Sequence, residues 1–127
     1  PFVHRVSIVG WEGRLVSVDG LFDDGAMVSA MSTSKYQELK SDLHRLLPLR
    51  CVLRMANGVE VPSIGRWKGG FEIDGVKAIG EFEVFDGGTS WEFLVGKPLL
   101  QAFKAIHHYE NDTVEVTDGR RRQCLQN

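Results

Sequence analysis

A mostly β fold, a small β-barrel or sandwich with one or two short helices, is what this 127-residue sequence predicts. Three observations carry that prediction. Short stretches rich in β-branched and aromatic residues recur, with turn signals between them at intervals of roughly eight to twelve residues. Only two segments space their apolar residues by threes and fours, as a helix does. No linker and no fixed-period repeat divides the chain, so residues 1–127 read as one domain, with a core from about 6 to 116 and a polar basic tail over 117–127.

Val3 to Val9 is β-branched and roughly alternating, which makes it a strand; Gly10-Trp11-Glu12-Gly13 turns it, and Arg14 to Val18 returns as the second arm of a hairpin. Asp19-Gly20 is a turn signal, yet it runs directly into Leu21-Phe22-Asp23-Asp24-Gly25-Ala26. Two apolar residues meeting acid-acid-Gly describe a buried strand that stops in a sharp polar loop. Ser32 or Ser34 can cap a helix through Tyr36, Leu39, Leu43 and Leu46-Leu47, which Pro48 ends. Cys51 to Met55 is a strand, and Asn57-Gly58 is a strong hairpin signal before Val59-Glu60-Val61 and the interrupting Pro62. Gly65 to Ile73, the turn Asp74-Gly75 and Val76 to Phe85 follow, with Phe82 and Val84 alternating against Glu81 and Glu83. Trp91 to Val95 is a short apolar strand, Gly96-Lys97-Pro98 opens a helix through Phe103, and Asn111-Asp112 turns into Thr113 to Val116.

Composition narrows the function classes. Hydrophobic residues make up 43% and charged residues 25%, the balance of a globular domain that can bury a modest core unaided. A net charge of −2 provides no general attraction to nucleic acid or acidic membranes, and Arg120-Arg121-Arg122 is the one basic cluster, read as a solvated tail. No apolar run reaches membrane-spanning length and no signal segment opens the chain, so neither nucleic acid nor membrane is expected as a partner. Cys51 and Cys124 are too few for a disulfide scaffold and lack metal-ligand spacing, which fits a reducing, cytoplasmic setting. The start at Pro1 reads as a piece of a longer protein.

The stretch that carries chemistry is Leu21-Phe22-Asp23-Asp24-Gly25-Ala26. A rigid strand delivers a carboxylate to a fixed place, and glycine keeps the loop tight with its N–H free to bond that carboxylate. Downstream lie a polar-small stretch to Ser29, a helix, Met55-Ala56-Asn57-Gly58, Val84-Phe85-Asp86-Gly87-Gly88, and Phe93-Leu94-Val95-Gly96-Lys97-Pro98-Leu99-Leu100. In that order the chain resembles the retroviral-like (retropepsin-type) aspartic proteases, above all those of gypsy-type retrotransposons, from about Val6 to Val116.

The resemblance implies a small closed acid-protease-type β-barrel, and a homodimer acting on an extended polypeptide, with no cofactor and no metal. Two chains would pair about a two-fold axis, each giving one Asp loop, since no second Asp-Ser/Thr-Gly loop stands in the chain. Asp23 is then the catalytic residue, with Asp24, Gly25 and Ala26 shaping its loop. Met55, Ala56, Asn57 and Gly58 belong to the substrate-binding flap, which extends toward Gly70. Two carboxylates held close share one proton, so one activates water while the other protonates the carbonyl.

One residue departs from the pattern. Asp24 stands where the family has Ser or Thr, whose hydroxyl bonds across the dimer. An ionised aspartate only accepts hydrogen bonds, and burying it unpaired is costly. Asp24 therefore keeps a proton, finds a donor, or sits in loops arranged differently. Two other readings follow: an inactive dimeric peptide-binding module, and the retroviral-type domain of a ubiquitin-shuttle protein that cleaves few substrates. Elsewhere, His107-His108 face opposite sides of a strand without ligand-spaced partners, and Trp11, Trp67 and Trp91 read as packing residues. Cys51 reads as an inert core thiol.

Overall fold

The computed structural model describes residues 1–49, 51–54, 58–86 and 91–127. Strand β1 (Phe2–Val9) and strand β2 (Leu15–Phe22) form the expected hairpin, joined by a tight turn in which the Gly10 N–H donates to the Arg14 carbonyl at 2.7 Å. Along β1 the residues Val6 and Ile8 are buried, and along β2 Val16 and Val18, the period-two pattern of strands with one face on a core. Asp19-Gly20 makes no turn. β2 runs straight through it, because a Cβ at position 20 would lie 2.8 Å from Val6 Cγ2 and 2.9 Å from Val95 Cγ2. The glycine serves close packing there.

After the Asp loop come β3 (Ala30–Ser32) and helix α1 (Thr33–Leu39), whose N-terminus is capped by Ser32 Oγ accepting the Lys35 N–H at 3.2 Å. The expected helix through Leu47 is cut short. Asp42 is claimed by the first hairpin: its carbonyl accepts the Trp11 N–H at 2.8 Å and its carboxylate pairs with Arg14 at 2.7 Å. Leu43 then enters the core and Leu47 exchanges two backbone bonds with Arg66. For so short a helix, tertiary contacts outweigh the local pattern.

β4 (Val52–Arg54) pairs antiparallel with the start of β5 (Glu60–Ile73), giving a hairpin where the flap is expected; of its expected tip, Met55, Ala56 and Asn57 lie outside the described residues, and Gly58 is exposed. β5 is continuous through Pro62, with a register slip between Ser63 and Gly65. Residues beyond Gly65 belong to the barrel rather than to the flap, since Trp67 and Phe71 are buried. Asp74-Gly75 turns the chain into β6 (Val76–Phe85), as expected. β7 (Phe93–Val95) starts two residues later than Trp91, and α2 (Lys97–Ala102) follows with a proline in its first turn.

Six strands close on themselves in the order β1-β2-β7-β3-β6-β5 and back to β1, with β4 outside on β5. Inside, Trp67, Phe71, Phe82 and Phe93 pack face-to-face and edge-to-face with centroids 5.3 to 6.4 Å apart. A second sheet holds β8 (Ile106–His108), β9 (Thr113–Thr117) and β10 (Arg122–Gln126). β10 corrects the expectation of a solvated tail, for it pairs with all of β9 and buries Leu125. Asp118, in the turn between them, accepts the N–H groups of Lys77, Arg120 and Arg121, which hold its carboxyl at about 2. The chain ends meet: the Val3 N–H donates to Asn127 Oδ1 at 3.0 Å and Asn127 Nδ2 donates to the Pro1 carbonyl at 2.8 Å.

Glu83 is the largest departure from the alternating pattern of β6. It is 2% exposed, as buried as Phe82 and Val84, and it pairs with Arg66 of β5 at 2.5 Å. Of the tryptophans, Trp67 is core, Trp91 is half-buried, and Trp11 is 56% exposed with its ring edge against His44. Cys51 is half-buried rather than core; burial pushes its thiol up. Among the described residues no helix is long and apolar enough to cross a membrane.

Candidate active-site groove

β2 delivers the Asp loop. Its last bond is from the Asp23 N–H to the Val95 carbonyl at 2.9 Å, which fixes the Asp23 backbone on the central parallel pair β2–β7. The chain then turns: the Ala26 N–H donates to the Asp23 carbonyl at 3.2 Å, and the Gly25 N–H donates to Asp23 Oδ1 at 2.9 Å. Gly25 thus orients one carboxylate oxygen. The other has no hydrogen-bond partner among the described residues. Asp23, Asp24 and Gly25 are exposed in the single chain and Ala26 is half-buried.

The far side of the loop is tied to the start of α2. The Lys97 N–H donates to the Ala26 carbonyl at 2.8 Å, and the Gly96 N–H donates to the buried Ser29 Oγ at 2.9 Å. Ser29 also accepts the Glu83 N–H on its carbonyl at 2.9 Å, so one residue joins loop, helix entry and barrel wall. Ser29 was only the end of a polar stretch in the sequence. Its position four residues after the glycine of an acid-Gly loop and just before a strand was the available signal, but its partners are remote in the chain.

A groove of about 690 Å³ opens beside Asp23 and Asp24. Its floor is apolar, from Phe2, Phe22, Leu100 and Val114, and its rim carries Lys97, Gln101 and Lys104 of the α2 side, His107 of β8 and Tyr109 just beyond that strand. Phe2 packs on Phe22 at 5.1 Å and on His107 at 5.8 Å, so the first strand, the Asp strand and β8 share this wall. The two histidines do find acidic partners: His107 Nε2 lies 2.9 Å from Asp112 and His108 Nε2 lies 3.4 Å from Glu115. The Asn127 amide, then His107, hold the Asp112 carboxyl below its usual range. No group of three or more metal-holding side chains occurs among the described residues.

The geometry brings Asp23, Asp24, Gly25 and Ala26 together in one loop on this groove. Of the residues expected to form a flap, Met55, Ala56 and Asn57 lie outside the described residues, while Gly58 lies between β4 and β5. Chemically, the loop offers a fixed, water-accessible carboxylate at an open surface, and a second carboxylate, Asp24, next to it. A general acid or base needs that placement first and its proton affinity second.

No protein-family model matches the chain. Among solved structures, it is similar to the retroviral protease-like domain of Ddi1 from Leishmania major. That likeness has a TM-score of 0.65 at 15% identity and covers 98% of this chain and 93% of that one. The fold is therefore of the retroviral protease-like kind, a mostly β closed barrel with two short helices.

Proposed function

We propose that the chain is an aspartic endopeptidase domain that cleaves extended polypeptides as a symmetric homodimer. Asp23 from each copy would form the catalytic pair. The observation that carries this reading is the Asp23 carboxylate itself, oriented by the Gly25 N–H at the end of a barrel strand and left open on a groove. A carboxylate with a purely structural task would be expected to use both oxygens within the chain. The order of sequence motifs supports a finer statement, that the domain derives from a gypsy-type retroelement polyprotein. Two free thiols, Cys51 and Cys124, support a cytoplasmic setting.

In such a dimer the two carboxylates share one proton. The ionised one takes a proton from water as the water attacks the peptide carbonyl. The protonated one gives its proton to the carbonyl oxygen, and the pair exchanges roles as the tetrahedral centre collapses. The proton count balances across the cycle, and no group outside the pair is needed.

The test is cleavage of an unfolded protein from roughly pH 4 to pH 7, the range in which carboxylates of raised proton affinity change charge, with and without pepstatin. Asp23→Asn is expected to lower cleavage at least about 100-fold with the fold unchanged. Cleavage that persists in that variant removes the protease reading. A second reading, an inactive peptide-binding module, is favoured by Asp24, whose carboxylate has no ion pair or hydrogen bond among the described residues. It prevails if the natural chain cleaves nothing while Asp24→Ser gains cleavage.

A further inference from the structure

We propose that Lys97, assisted by Lys104, supplies across the two-fold axis the cationic partner that Asp24 lacks within one chain. Ion pairs would then tie the two Asp loops together where hydroxyl bonds would otherwise do so. The inference rests on the dimeric reading given above.

It starts from the helix. In α2, Leu99 is buried, and Phe103 just beyond the helix end is buried with it, so this side faces the barrel. Positions 97, 100 and 101 recur at intervals of three and four, which sets them on the other side, and Lys104 lies in the turn beyond the helix end; all four border the groove that holds Asp23 and Asp24. Lys97 is also tethered to the loop, through its N–H bond to the Ala26 carbonyl. Its ammonium therefore works within a short radius of the loop.

The groove thus carries two side-chain carboxylates and two lysine ammonium groups, and in the single chain none of these four forms an ion pair within 4.0 Å among the described residues. His107, the other cationic candidate on the rim, already faces Asp112 at 2.9 Å. A two-fold interface presents one patch to its own inverted copy, so a patch holding separated charges of both signs complements itself. Each Asp24 then meets the partner's lysines. Without that meeting, closing the dimer would strip water from an unpaired carboxylate beside the catalytic pair. Lys97 is a positioning residue in this scheme, acting on the loops and not on the substrate.

The experiment is the dimer dissociation constant by sedimentation equilibrium, at low and at raised salt. Lys97→Gln is expected to weaken the dimer about tenfold or more, and Lys104→Gln less. Raised salt should weaken the parent more than the Lys97 variant. Adding Asp24→Asn to Lys97→Gln should cause little further loss, because the pair is already broken. The exchange Asp24→Lys with Lys97→Asp should recover most of the affinity, which a merely structural role of either side chain would not allow. Lys97 is exposed, so its variant should keep the parent's circular dichroism and melting temperature. If the parent dimerises but both lysine variants match it, or the losses with Asp24→Asn simply add, or the exchange restores nothing, the inference is overturned while the dimeric reading stands. A parent that stays monomeric at every concentration, by contrast, removes the dimeric reading.

Discussion

At Gly96 the entry to α2 passes so near the Asp loop that a Cβ would sit 2.3 Å from the Val28 carbonyl oxygen and 3.0 Å from the Ser29 nitrogen. Both obstacles are backbone, so neither can rotate away. Gly96→Ala should push the loop outward, lower stability by about 1–3 kcal/mol in urea titration, and cut the cleavage rate about 100-fold through misplacement of Asp23. A variant as active as the parent would show that this contact does not set the loop. The sequence displayed Gly96 plainly, between an apolar strand and Lys97-Pro98, but the reason for it lies in a segment almost seventy residues earlier. Asp23, Asp24, Gly25 and Ala26 were legible because all four act within one turn. Ser29 and the Val95 carbonyl were not, because each works through a partner that only the folded barrel brings near.

Strands β5 and β6 show what alternation does and does not report. Their hairpin, its Asp74-Gly75 turn and its register follow from period-two patterning. Glu83 looked like a solvent-facing residue because it alternates with Phe82 and Val84. It is buried because the other face of β6 is covered in turn, by the Arg66 side chain from β5 that pairs with it and by the neighbouring Cys51 side chain. A pattern of hydrophobicity tells which side meets the barrel interior, and says nothing of a second layer. Arg66→Met should leave that carboxylate, 3% exposed, without its cation, and cost about 3–5 kcal/mol in denaturant unfolding. Arg66→Met together with Glu83→Leu should recover much of the loss, since an apolar pair of similar size avoids desolvating two charges. No recovery would mean that the site needs the ion pair for its shape. Helix α1 makes a parallel point: Ser32 and Tyr36 sit where the spacing puts them, but Asp42 is held by the first hairpin and ends the helix early.

For the molecule as a whole, a barrel or sandwich was legible as a class, through many short strands with frequent turns, but the strand order and the pairing that closes the barrel, β1 with β5, carry no local signal. β10 escaped notice for a different reason. Arg120-Arg121-Arg122 and flanking polar residues hide a single buried side chain, Leu125, and one residue is too little to mark a strand. Yet β10 brings the final residue to the first, where Asn127 bonds both Pro1 and Val3. A linker of a few residues could therefore join the two ends at little loop-closure cost. The barrel then becomes a ring in which the position of the opening is arbitrary. Cutting that ring in the exposed turn between Glu12 and Gly13 should give a chain, starting at Gly13 and finishing at Glu12, that refolds cooperatively with the parent's circular dichroism and a modestly lower melting temperature. A permuted chain that stays unfolded would show that the β1–β2 hairpin must be continuous for the barrel to assemble.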